Sequence, residues 1–172
     1  MRLRGSRGHR LCDEREVSAV ASAPSAGSGR RAVDHAGMRV LSDDECATML
    51  ASRQVGRLAF AADGQIEIFP VAFVLDGSAV VLRSGFGMKL LAALDRTVVA
   101  FEVDRFEPAS RTGWSVVVKG TCEEIEDTGT LARLETTGFE NWIEYPHYSS
   151  TYRWLRIRPY SVTGRTLPPR AI

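Results

Sequence analysis

The chain has 172 residues, 44% hydrophobic and 25% charged, enough for one domain with a substantial core. Its 22 lysines and arginines stand against 21 acids, a net charge of +1, which gives no electrostatic case for a nucleic-acid partner. No apolar run is long enough to span a bilayer. Cys12, Cys46 and Cys122, with His9, His35 and His147, form neither a disulfide framework nor a zinc site, so a reducing cytoplasm is the default expectation.

Residues 1–37 carry Arg2, Arg4, Arg7, Arg10, Arg15, Arg30 and Arg31 and a Ser/Ala/Gly-rich patch from Ser18 to Gly29. They show no hydrophobic period, so a disordered basic tail is expected. Arg30-Arg31 leads into Ala-Val-Asp-His rather than an apolar core, which argues against an export signal. Met38 precedes the first structured signal, and a start-site artefact is the other reading of the tail. A single domain is expected over 38–172.

Ser42-Asp43-Asp44-Glu45 is a capping box with acids in the first turn, predicting a helix to about Ser52 with Cys46, Met49 and Leu50 inward. Val55 to Ala61 is strand-like and ends at Asp63-Gly64, a hairpin signal. Ile66 to Leu75 follows and ends at Asp76-Gly77. Its alternation shifts phase at Phe69-Pro70, predicting a bulge or an edge strand. A strand over Ser78 to Arg83 comes next, then a helix over Lys89 to Leu94 and a strand over Thr97 to Asp104 with Glu102 and Asp104 on its solvent parity. Asp104 to Arg111 reads as a polar loop. Gly113 to Ile125 reads as a long strand bent at Gly120. A helix over Asp127 to Thr137, an aromatic loop over Tyr145 to Ser150 and a last strand over Tyr152 to Val162 complete the chain. Arg153, Arg156 and Arg158 on that strand read as a solvated barrel face. The tally is about six strands and three short helices. Tight early hairpins and long later strands favour a mainly β, six-stranded antiparallel barrel.

Arg83-Ser84-Gly85-Phe86-Gly87-Met88-Lys89-Leu90 carries the most chemistry. A strand ends in Arg and Ser, turns through two glycines and enters a helix beside a Lys. Glycines let backbone N–H groups approach an anion, and Arg83 and Lys89 supply charge, which suits a phosphate. The plainer reading is a strand-to-helix turn with a solvated Lys. The glycine spacing matches neither a Walker A loop nor a dinucleotide fingerprint. No Ser/His/Asp or Cys/His constellation is visible.

Five features come in order: the capped first helix, Val55-Gly56-Arg57-Leu58-Ala59-Phe60, Phe69-Pro70-Val71, the strand into Arg83 through Leu90, and Phe101-Glu102-Val103-Asp104 with Arg111-Thr112-Gly113-Trp114-Ser115-Val116-Val117-Val118-Lys119-Gly120. This order resembles the pyridoxamine 5'-phosphate oxidase-like family of FMN-binding split barrels, over about residues 38 to 167. Val162-Thr163-Gly164-Arg165 resembles that family's closing strand. The resemblance implies a split-barrel homodimer with FMN between subunits. Arg83, Ser84 and Lys89 would hold the FMN phosphate. Main chain over Phe69, Pro70, Val71 and Ala72 would line the isoalloxazine ring. Trp114 and Ser115 would reach the partner's flavin, with Arg165 a further candidate. Ala72 and Ser115 stand where the vitamin oxidases carry Lys and Gln, and Arg165-Thr166-Leu167 stands where they carry Arg-x-His. The resemblance therefore implies an FMN-dependent oxidoreductase of unknown small-molecule substrate, not a true pyridoxamine phosphate oxidase. The alternative is a non-catalytic module holding flavin, deazaflavin or haem.

Overall fold

The computed structural model describes residues 32–140 and 152–167. Ordered structure begins before Met38: Val33 bridges Arg39, and Asp34 Oδ1 accepts from the backbone N–H groups of Ala36 (2.9 Å) and Met38 (3.0 Å). Residues 32–37, read from sequence as part of the tail, thus close a turn onto the domain. The rest of the expected tail, and the aromatic stretch Tyr145 to Ser150, lie outside the described residues.

The chain runs β1 (Arg39–Val40), α1 (Asp43–Ala51), β2 (Val55–Ala62), β3 (Gln65–Ala72), β4 (Val74–Asp76), β5 (Ala79–Ser84), α2 (Met88–Leu94), β6 (Val98–Glu107), β7 (Thr112–Glu124), α3 (Thr128–Glu135) and β8 (Arg153–Leu167). The capping box forms as the sequence predicts, with Glu45 N–H donating to Ser42 Oγ and Ser42 N–H donating to Glu45 Oε2. Asp127 caps α3 by accepting from the Thr130 N–H at 2.7 Å.

The strands form one antiparallel eight-stranded sheet, ordered β3-β2-β6-β7-β8-β5-β4, with β1 on β8. Strands β3 and β5, near opposite ends of that path, touch each other, so the sheet curls into a split barrel. Eight strands form rather than about six. Phe73 interrupts the run from Ile66 to Leu75 and divides it into β3 and β4, and Arg39–Val40 adds a short strand. The phase shift at Phe69-Pro70 resolves as an edge. β3 ends the sheet, and its register with β2 is unbroken from Gln65 to Ala72, so Pro70 loses no ladder bond on the side facing away. The bend at Gly120 is a register shift between β7 and β8. A Cβ there would lie 2.3 Å from Arg158 O, which only glycine avoids.

Two clusters form the interior. Leu58, Phe60, Phe101, Val116, Val118, Leu82 and Ile157 fill the barrel. A smaller cluster of Val81, Ile125, Leu134 and Trp154 lies between the sheet and α3. Alternation on β5 assigns its residues to the two: Val80 and Leu82 face the barrel, and Val81 faces α3. The expected arginine row on β8 is an ion-paired outer face. Arg156 and Arg158 share that face and both hold the buried Glu123, while Arg153, on the other parity at the start of β8, holds Glu124 at 3.0 Å.

Candidate functional site

The end of β5 separates two neighbours the sequence puts together. Ser84 follows Val80 and Leu82 in parity and is buried. Its hydroxyl donates to Gly85 O at 3.0 Å. Arg83 takes the other parity, toward α3. Its Nη2 donates to both carboxylate oxygens of Glu135 at 2.6 Å, and its guanidinium carbon lies 4.6 Å from the Trp154 ring centroid, with Phe139 and Tyr152 close by. Trp154 Nε1 donates to the same carboxylate at 2.8 Å. The Trp154 hydrogen bond first, then that of Arg83, holds the Glu135 carboxyl below its usual range. Arg83 is therefore engaged on the face away from Ser84. The pairing of Arg83 with Ser84 on one anion, expected from sequence, is not the arrangement seen, because adjacent strand residues point to opposite faces.

Ser84 and Lys89 flank the glycine turn. Gly87 caps α2 with backbone alone, and the space that a Cβ would take at Gly85 or Gly87 is open. Leu90, Ala92 and Ala93 bury one side of α2 against the barrel. This docking carries Lys89 to β3, where its Nζ lies 4.6 Å from the Phe69 ring centroid. Lys89 is half-buried and holds no carboxylate among the described residues. Desolvation pushes its pKa below the usual lysine value. Phe69 in turn stacks on Phe60 at 5.8 Å. The structure thus joins two segments that the sequence separates: the lysine of the turn and the strand over Phe69, Pro70, Val71 and Ala72. Phe69 and Val71 point inward, while Pro70 is exposed on the other face.

Trp114 and Ser115 lie on β7 but on opposite faces. Trp114 packs against the barrel core and beneath the Arg53 guanidinium, 5.4 Å from its centroid. Ser115 faces out, in register with Asp104 on β6 and Arg165 on β8. That outer row is charge-paired. Arg57 holds Asp104 at 2.6 Å and Arg165 holds Asp34 at 2.8 Å. Asp104, expected on the solvent parity of its strand, is an ion-pair partner here. Arg53, which sequence reasoning passed over, is the new residue. It lines a cleft of about 620 Å³ with Gln54, Arg57, Pro70 and Asp104. Its only sequence signal was a basic residue just past a helix end.

Lys89, a half-buried cation that holds no carboxylate among the described residues, and Ser84, a buried hydroxyl at the start of the same glycine turn, are the groups here that could hold a phosphate. Among the described residues, no helix is long and apolar enough to cross a membrane.

The family model described as pyridoxamine 5'-phosphate oxidase matches residues 42–166. The structure of an FAD-binding protein of Mycobacterium smegmatis is 31% identical with a TM-score of 0.63, covering 75% of this chain and 99% of that one. An FAD-binding protein of Mesorhizobium loti is 30% identical with a TM-score of 0.66, covering 76% and 99%. An uncharacterised protein of Mycobacterium tuberculosis is 36% identical over 100 residues, 55% of this chain and 66% of that protein's length.

Proposed function

Since this chain belongs to the pyridoxamine 5'-phosphate oxidase family, we propose that it is an FMN-binding flavoprotein and, through its flavin, an oxidoreductase of a small molecule. The observation that carries this reading is Lys89, a cation that holds no carboxylate among the described residues and lies 4.6 Å from the Phe69 centroid. Ser84 and Lys89 hold the flavin phosphate. The main chain over Phe69, Pro70, Val71 and Ala72, on the edge of the sheet, lies along the ring system. Arg83 is set aside because Glu135 and Trp154 already occupy it. The FAD-binding relatives fit the same cradle, since FAD contains the FMN unit. The protein acts as a homodimer in the cytoplasm, with Ser115 on the outer face of β7 reaching toward the partner's flavin and Trp114 supporting that strand from the barrel side.

The bound flavin supplies hydride acceptance. The chain supplies position: Lys89 and Ser84 orient the phosphate, and Phe69, stacked on Phe60, gives β3 a rigid inner face. Oxidation of pyridoxamine phosphate is not the proposed reaction. Leu167 replaces the expected His, and Arg165 is held by Asp34.

The test is an absorption spectrum of the purified protein, then titration with FMN and FAD. A flavin spectrum, or quenching on titration, is expected. A colourless protein that binds neither flavin would sink the proposal. A second reading, a non-catalytic module for flavin, deazaflavin or haem, is favoured by Ala72 and Ser115, which stand where the resembled vitamin oxidases carry Lys and Gln. It wins if the reduced flavin passes no electrons from a nicotinamide donor to any acceptor.

A further inference from the structure

Arg53 is a half-buried cation that forms no ion pair among the described residues. It sits just past the C-terminus of α1, where its N–H donates to Leu50 O at 3.2 Å. Every described arginine except Arg53, Arg105 and Arg111 holds a carboxylate. Arg105 and Arg111 are exposed near the β6–β7 turn, whereas Arg53 is half-buried. Its Nε is closed off from solvent and, among the described residues, has no hydrogen-bond partner. Arg83 Nε is closed off in the same way, but Arg83 has Glu135 as its counter-charge, whereas an anion in the cleft would be the first charge partner of Arg53 among the described residues. The Trp114 ring fixes the guanidinium at 5.4 Å, so its planar fork is oriented before any ligand arrives. Asp104 is the one carboxylate lining the cleft, and Arg57 neutralises it at 2.6 Å. The cleft therefore keeps the charge of Arg53.

We infer that this cleft is an anion subsite, anchored by Arg53, for a phosphate or carboxylate lying against Pro70. Lys89 approaches the strand at Phe69, and Pro70 turns to the opposite face, so a single phosphate at Lys89 leaves Arg53 unserved. The anion belongs to the pyrophosphate of a dinucleotide flavin or to a separate anionic substrate. The placement beside Pro70 rests on the proposed flavin reading, while the anion site itself does not.

The test compares wild type, Arg53→Gln and Arg53→Lys. FMN and FAD are titrated by fluorescence, and inorganic pyrophosphate by calorimetry on flavin-free protein. Arg53→Gln is expected to weaken pyrophosphate binding about tenfold and leave FMN affinity unchanged, with Arg53→Lys restoring most of the loss. If FAD affinity falls in step, the anion is the dinucleotide's. If FAD holds with FMN, it belongs to a separate substrate. Arg53→Gln matching wild type for both FAD and pyrophosphate overturns the subsite. So does an equal loss of all three ligands that Lys does not rescue, which would make Arg53 only a support for Trp114. A wild type that binds no flavin, with pyrophosphate binding still lost in Arg53→Gln, overturns the flavin reading and leaves the subsite standing.

Discussion

Arg83 and Lys89 flank one turn and carry the same charge, yet their surroundings are opposites. Arg83 has a counter-charge: its Nη2 holds Glu135 and Trp154 covers its face, although its buried Nε has no partner among the described residues. Lys89 reaches a ring and no carboxylate. The difference shows that a basic residue beside a glycine turn is a ligand candidate only if the fold leaves it unpaired. An ion pair already made must be broken before the group can serve an anion. The α3 region pairs its cations with carboxylates, and the β3–α2 region leaves Lys89 without one among the described residues.

Removing Trp154 tests the structural half most severely. Trp154→Ala is expected to cost about 3–5 kcal/mol in urea unfolding, because it empties the satellite cluster and strips both Glu135 and Arg83. Its folded fraction should bind flavin like wild type, and a large affinity loss would merge the two regions. Lys89→Ala should do the reverse. Flavin affinity is expected to drop ten- to hundredfold by fluorescence titration, with the urea midpoint nearly unchanged. Unaltered affinity would remove Lys89 from the site. Arg83→Leu should destabilise by about 1 kcal/mol, since the exposure of Glu135 screens the pair, and leave flavin affinity alone.

The smallest effects are in pH dependence: stability rises with pH in both regions, over an alkaline window for Lys89 and an acid window for Glu135. Burial lowers the Lys89 pKa from 10.5. Between that lowered value and 10.5 the unfolded chain binds more protons, so stability rises with pH, while flavin affinity falls as the ammonium is lost. Lys89→Arg should abolish the alkaline fall in affinity. The Glu135 pKa is depressed, so its contribution is complete above about pH 4.5 and lost as pH falls through the folded value. Trp154→Phe, which removes the leading hydrogen bond, should bring acid unfolding to higher pH. Identical acid curves would show that the Trp154–Glu135 bond contributes nothing.

Local signals carried much of this. The capping box, the Asp127 cap, the glycine bend and the mainly β barrel were legible because turn chemistry and periodicity act over a few residues. The partner of Arg83 was not. Glu135 lies on a different element, and only the β5 face decides whether Arg83 meets it or Ser84's surroundings. Trp114 and Ser115 look like one unit in sequence and are divided by the same alternation. Arg53 was missed because a charged residue after a helix usually reads as solvated. What marks it is the missing counter-charge, which requires the whole fold.

Among the described residues no strand pairs with the other edge of β3, and Ile66 and Ile68 stand 73% and 61% exposed on its outer face. An open, partly apolar strand edge is a template for adding another strand from any chain that meets it. A cofactor or second subunit lying on β3 would therefore also guard the protein against self-association. Colloidal behaviour would then depend on occupancy, with protein stripped of its ligand the first to precipitate on concentration.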